Sequence, residues 1–507
     1  MSSWNPEVDY SLESFKKEAT LLLTRLKDCG SLEQARENAF DWVAGHEYDP
    51  DNLTDKLLPG EIIRRRDCVR AFMSIIKPSS DKKAGFSVTQ AIWDIARGQA
   101  RTDLQAGFFA EIINMIMGIE GRSLFSAPDE SKLSADMSGR EASKVRSDEL
   151  DKIWEAAAKK MAGYADGLTA EAIQRRQARS EQIIKALGGQ SENWDNWRWH
   201  VQHVLTDAES VAKVVGLSDS EKDAILRANK CNLAFGITPY YASLMDQQPS
   251  SRDRAIRAQV LPPTSYVAEM EKHRSDRGQA FDFMGEYDTS PIDLVTRRYP
   301  AILILKPYNT CPQICVYCQR NWEIDQAMAP GAMASEEKIE AALQWIEEHS
   351  AIREVLITGG DPLIMSNERI EKILSRIAAI DHIDLIRIGS RVPVTIPMRI
   401  TQNLADLLGK FRQPGRREVC LVTHVEHPYE ITPQMVTAVD RIKRQGISVF
   451  NQQVYTFFTS RRFEAARLRM LLRRIGIDPY YTFVTKGKEE TGDYRVPIAR
   501  LLQEQKE

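Results

Sequence analysis

Six short β-rich runs set the strongest constraint on this chain. They are "AILILKP" from Ala301, "EVLITGG" from Glu354, "DLIRIGS" from Asp384, "VCLVTHV" from Val419, "SVFNQQV" from Ser448 and "PYYTFV" from Pro479. Amphipathic stretches such as "SEEKIEAALQWIEEHS", "NERIEKILSRIAAI" and "PQMVTAVDRIKRQG" separate them. From the second run on, strand starts recur about every thirty residues, as repeated βα units require. Six such units predict an α/β fold in which a parallel sheet curls into a partial (βα)6 TIM-type barrel. Chemistry in that architecture gathers at the C-terminal ends of the strands. Polar motifs do fall there: "NTC", "TGGD", "GSR", "THVEH" and "NQQ".

The chain has 507 residues, too many for one ordinary core, so more than one domain is expected. Residues 1–185 read as a helical N-terminal domain whose role the sequence does not tell. "SLESFKKEATLLLTRLKD" opens with Ser11 and an early glutamate, a helix start. "SVTQAIWDIARGQARTDLQAGFFAEIINMIMGI" carries apolar residues at three- and four-residue spacing. The polar stretch "SAPDESKLSADMSGREASKVRSDE" reads as a mobile connector before "LDKIWEAAAKKMAGYADGL". Residues 186–300 form a helical lead-in, 301–485 the barrel, and 486–507 the start of a further region.

A formal charge of -3 and a pI near 6.3 argue against a nucleic-acid partner held by a general positive field. No stretch approaches eighteen apolar residues, so no membrane span is predicted. The first residues lack a basic segment followed by an apolar run. Cys29, Cys68, Cys231 and Cys420 are scattered, which suits a reducing compartment, and a cytoplasmic location is the expectation.

The other three cysteines are crowded. Cys311, Cys315 and Cys318 lie in "NTCPQICVYCQRNW", directly after the first run. Structural zinc wants four ligands, usually as two pairs, and no fourth cysteine is near. Three thiolates can hold three irons of a [4Fe–4S] cluster and leave the fourth open to a small chelating molecule. Incidental buried cysteines and zinc are the alternatives.

C-x3-C-x2-C after the first strand of such a barrel resembles the radical S-adenosylmethionine signature. "NWDNWRWHVQHVLTDAESV", "ITPYYASLMD", "DTSPIDLVTRRYP", "LITGGDPLIMS", "IRIGSRVPV", "PMRIT", "THVEHPYEIT", "GISVFNQQV" and "DPYYTFV" narrow the resemblance to the lysine 2,3-aminomutase family, over residues 193–500. The resemblance implies that Cys311, Cys315 and Cys318 ligate the cluster. It implies that Gly359, Gly360 and Asp361 form the turn meeting the S-adenosylmethionine amine, and that Arg320 holds the substrate carboxylate through its planar fork. Arg298, Tyr299 and Gln452 would line a pyridoxal phosphate pocket. His424 and His427 are either cofactor contacts or ordinary hydrogen-bonded histidines.

In that family the cluster and S-adenosylmethionine start a radical reaction, and pyridoxal phosphate lets the amino group migrate from the α to the β carbon. The implied partners are a small amino-acid substrate and an external electron donor of flavodoxin or ferredoxin type; a homo-oligomer is compatible. An enzyme working without pyridoxal phosphate, and an inactive cluster-binding scaffold, remain alternatives.

Two departures stand out. Lysine-using members place an aspartate where this chain has Arg461, followed by Arg462. That reversal suits a distal carboxylate over a distal ammonium and resembles the glutamate 2,3-aminomutases; capping of the following helix is the other reading. The family's pyridoxal lysine lies in a glycine-rich segment downstream of "PYY". Here "TKGKEETGDYRVPIARLLQEQKE" follows instead, so the expectation is a chain stopping short of that segment, with Lys486 and Lys488 as poor substitutes. "RVPIARLLQEQKE" reads as the start of the next helix.

Overall fold

The computed structural model describes residues 10–47, 59–122, 137–485 and 487–506. Two compact units emerge. One comprises residues 1–163, Arg461–Phe463 and Val496–Glu507, and the other Tyr164–Ser460 and Glu464–Arg495.

The first unit is helical. Ser11 caps the helix Leu12–Glu18, its hydroxyl accepting from the Ser14 N–H at 3.1 Å, which is the orphan-donor remedy expected at a helix start. Phe15, Leu22, Trp42, Phe72, Ile92, Phe109 and Ile116 form its core. The helix Ala106–Ile119 packs against the helix Ile498–Lys506, so the last predicted helix is present. The connector reading needs correcting. Its residues 126–136 lie outside the described residues, but a 24-residue helix already begins at Gly139. Eleven of that helix's first eighteen residues are polar or charged; the polarity marks an exposed helix rather than a linker.

The second unit carries the predicted sheet. Its strands are β1 (Val295–Thr296), β2 (Ile302–Tyr308), β3 (Glu354–Gly359), β4 (Leu385–Gly389), β5 (Glu418–Thr423), β6 (Ser448–Tyr455) and β7 (Ile477–Val484). They lie in sequence order, with β2 to β7 parallel. All six predicted runs are strands. The added β1 pairs antiparallel with β2, and two residues are too few for a sequence period to show. The predicted α/β partial barrel is the observed fold.

The register sorts the strand residues by face. Leu303, Leu305, Val355, Ile357, Ile386, Ile388, Val419, Leu421, Val449 and Ile477 join one core with Ile346, Ile373, Leu404, Met435 and Leu468 of the covering helices. The alternate residues, among them Lys306, Thr358, Arg387 and Gln452, face the other way and are half-buried. Apolar alternation thus fixes which face the helices cover, and the polar alternate set lines the concave side.

The helix Ala170–Ala186, read with the N-terminal domain, belongs to the barrel unit. Ala172 and Ile183 join the barrel core, and Arg179 donates to the Met245 carbonyl at 3.1 Å.

Candidate active site

β2 delivers the chain straight into the three-cysteine loop, and β3 brings the Gly359–Gly360–Asp361 turn against it. Gly360 N–H donates to the Tyr308 carbonyl at 2.7 Å, and Asp361 N–H to Thr310 at 3.0 Å. A Cβ on Gly360 would meet the Thr310 carbonyl oxygen at 2.1 Å, and one on Gly359, whose φ is +110°, would meet the Tyr308 oxygen at 2.9 Å. Both positions therefore need glycine simply to let the two loops touch. Asp361 is buried; its carboxylate accepts from Ser390 Oγ at 2.7 Å and from the Arg391 N–H at 2.8 Å. Burial pushes its carboxyl up to about 6. It ties the end of β3 to the end of β4.

The three cysteines are free and half-buried. Cys315 Sγ accepts from Arg391 Nη1 at 2.7 Å, and Cys318 Sγ from the Arg320 N–H at 3.4 Å. Burial raises the Cys311 thiol and pushes Cys315 up to about 11, with the Arg391 charge opposing it; a bound metal overrides such a shift by deprotonating the thiol. Among the described residues no three His, Cys, Asp or Glu side chains converge on one metal ion. The donor set, three thiols in one loop with N–H donors aimed at two sulfurs, fits a cluster whose irons each take one thiolate.

Beside the loop lies a cationic pocket. Glu286 is ringed by Arg320, by Lys306 at 2.5 Å and by Arg298 at 3.7 Å, while Glu323 pairs with Arg320 as well. The neighbouring cations hold the Glu286 carboxyl down against its burial. Burial, and then the Arg320 charge, lower Lys306. Three cations face two carboxylates, and the buried Arg298 Nη2 and Arg320 Nε have no hydrogen-bond acceptor. Such unsatisfied guanidinium donors suit a further anion.

The remaining predicted residues part company. His424 Nδ1 donates to the Gln452 carbonyl at 2.8 Å; burial depresses its imidazole to about 4, so it is neutral and keeps Nε2 as an acceptor. His427 is fully buried, bridged to Glu464 at 3.0 Å and to the Tyr429 N–H at 3.1 Å, a structural histidine. In "NQQ", Asn451 clamps the Val425 backbone through both ends of its amide, whereas Gln452 faces the concave side.

Tyr299 is not brought to the site. It is 58% exposed on the turn before β2, and seven residues of strand, about 20 Å, separate that turn from the cysteine loop. Arg461 and Arg462 group with the helical unit, where the Arg461 carbonyl accepts from Arg500 and the Arg462 guanidinium lies 5.4 Å from the Phe463 ring centre. Lys488 is buried, ion-paired with Glu490 and 3.5 Å from Asn321 Oδ1; Lys486 lies outside the described residues.

Comparison with known proteins agrees with this geometry. The radical SAM superfamily matches residues 305–502. An uncharacterized KamA family protein of Methanocaldococcus jannaschii is 41% identical over 510 residues, covering 95% of this chain and 80% of that one. The chain belongs to the KamA family. Other relatives carry names for activity. A glutamate 2,3-aminomutase of Clostridioides difficile is 32% identical over 63% of this chain and 72% of its own length. An L-lysine 2,3-aminomutase of Bacillus subtilis is also 32% identical, over 62% and 63%. Overall identity therefore does not choose between the two substrates. Because it covers 95% of the chain, the M. jannaschii match runs through the helical unit. That makes the unit a shared feature of some KamA proteins.

Sequence reasoning missed Glu286, Lys306, Arg391, Glu426 and Glu430. Burial pushes Glu426 up to about 8, so it is protonated at neutral pH, with Oε2 accepting from the Val454 N–H at 2.6 Å. A signal existed: "LILKP" and "IGSR" each put a cation inside or directly after an apolar strand, where a charge needs a buried partner.

Proposed function

We propose that this KamA protein is a radical S-adenosylmethionine amino-acid 2,3-aminomutase that uses a [4Fe–4S] cluster and pyridoxal phosphate, with glutamate preferred over lysine. The observation carrying the reading is the three-thiol loop, packed through Gly360 against the Asp361 turn and bordered by the Arg298–Lys306–Arg320 pocket. Cys311, Cys315 and Cys318 would hold the cluster. When bound, the reduced cluster, S-adenosylmethionine and pyridoxal phosphate supply hydrogen abstraction and an electron sink for nitrogen migration. The chain's own residues do the placing. Arg320 and Arg298 offer unsatisfied N–H donors to carboxylate or phosphate oxygens, and Glu286 keeps the pocket from excess positive charge. Neutral His424 offers an acceptor, and the buried β4–β5 ends shield the site from water.

The glutamate preference rests on the cationic surplus of the pocket, where Arg298, Lys306 and Arg320 face Glu286 and Glu323. Anaerobic incubation with dithionite, S-adenosylmethionine, pyridoxal phosphate and equal glutamate and lysine tests it. β-Glutamate should form faster than β-lysine, and Lys306→Met, which removes one cation of the pocket, should erode the difference. Faster β-lysine formation would reject glutamate as the substrate.

Two placements favour a second reading, an enzyme working without pyridoxal phosphate: Tyr299 sits at the far end of β2, and Lys488 is engaged by Glu490. Pyridoxal absorbance that survives gel filtration would dismiss it.

A further inference from the structure

Arg391 is where the buried charges of the barrel meet. Nη1 donates to Cys315 Sγ at 2.7 Å, Nε to the His424 carbonyl at 3.1 Å, and Nη2 to Glu430 Oε1 at 2.9 Å and to Gln259 Oε1. Glu430 is equally occupied: Oε1 accepts from Tyr241 Oη at 2.7 Å, and Oε2 from the Glu426 and His427 N–H groups at 2.6 and 3.2 Å. Arg391 is 8% exposed and Glu430 1%. Partners on four sides hold the guanidinium in place, and they come from the segments after β2 and β5 and from the helical lead-in.

We propose that Arg391, with Glu430 as its counter-charge, sets the reduction potential of the cluster that Cys315 helps to hold; this rests on the cluster reading above. The step concerned is transfer of one electron from an external donor to the oxidised cluster, with no bond made or broken. The added electron makes the cluster more negative. An N–H donor and a positive charge at a ligating sulfur stabilise that reduced form and raise the potential. A carboxylate on the far side of the same guanidinium acts in the opposite sense, and burial keeps both effects strong. A purely structural role for the pair predicts something different: either substitution would loosen the same loop, and both would act in the same direction.

The test is a dye-mediated potentiometric titration of the anaerobically reconstituted full chain, followed by electron paramagnetic resonance, with iron and sulfide counted in each sample. For a one-electron couple a tenfold change in the reduced-to-oxidised ratio is about 59 mV. Arg391→Met should lower that ratio at fixed potential about tenfold, and Glu430→Gln should raise it by a similar factor. Arg391→Lys should recover part of the loss. Shifts of the same sign, or none, in samples with full iron would overturn the proposal. If Arg391→Met fails to retain iron, Glu430→Gln decides: a rise supports the proposal, and a fall or no change overturns it. If neither retains iron, the pair is structural and the proposal falls. Full iron in Cys315→Ala would instead defeat the cluster reading itself, whatever the potentials show.

Discussion

The two units bury carboxylates in different ways. In the helical unit, Asp94 accepts from Gln90 at 2.7 Å and from Arg97 and Arg101 at 3.1 Å each, all within seven residues along the chain. In the barrel unit, Glu430 meets Arg391 from 39 residues away and Tyr241 from 189, while Arg391 meets Cys315 from 76. A local ion pair forms wherever its helix or turn forms and needs nothing more. A network joining distant segments exists only once the fold is complete, and it costs desolvation of every member. Such a network persists where something beyond stability is gained from it, which is why the barrel's charges point to chemistry and Asp94 does not.

The contrast breaks most directly at Glu430. Glu430→Ala strands the Arg391 charge in the interior and should cost about 3–5 kcal/mol, read as a fall in the chemical-denaturation midpoint. A loss below 1 kcal/mol would place Arg391 in contact with water and dissolve the distinction.

Next in size is Gly360→Ala. Its methyl group would meet a backbone oxygen, which cannot swing aside, so a loss of about 3 kcal/mol and reduced iron uptake are expected. Its counterpart in the helical unit is Gly107, where an added Cβ meets nothing within 4 Å. Gly107→Ala should be neutral or stabilising by up to about 1 kcal/mol. Equal losses at the two glycines would mean that the loop contact is adaptable.

Acid should act on the barrel through its buried histidines. Burial depresses His200 to about 4, below the ordinary 6.5, so the folded state binds fewer protons than the unfolded one. The stability is fully present above pH 6.5 and is lost as pH falls toward 4. By pH 5 the loss is about 2 kcal/mol, and His200→Gln should flatten that part of the melting-temperature profile. An unchanged slope would show that His200 is not the titrating group.

Asp94→Ala should be the mildest change, about 1 kcal/mol, because Arg97 and Arg101 are partly exposed and can turn to solvent. A loss as large as that at Glu430 would erase the difference between local and convergent pairs.

The amino-acid sequence by itself determined the six parallel strands, the helix-covered face and the cysteine loop, because each is written in a short-range pattern: an alternation, a helical period or a fixed spacing. The same locality explains the miss at the N-terminal connector, where the polarity of an exposed helix passed for a linker. It explains the boundary error too, since Ala170–Ala186 looks like any helix until its partners are known. Only the tertiary structure decided which charges share a site. It set Glu286 among Arg298, Lys306 and Arg320, brought Arg391 onto Cys315, left Tyr299 at the far end of β2, and grouped Arg461 and Arg462 with the helices. The physical reason is that a charge buried by folding has to find its partner in space, and the number of residues between two partners carries no record of their meeting.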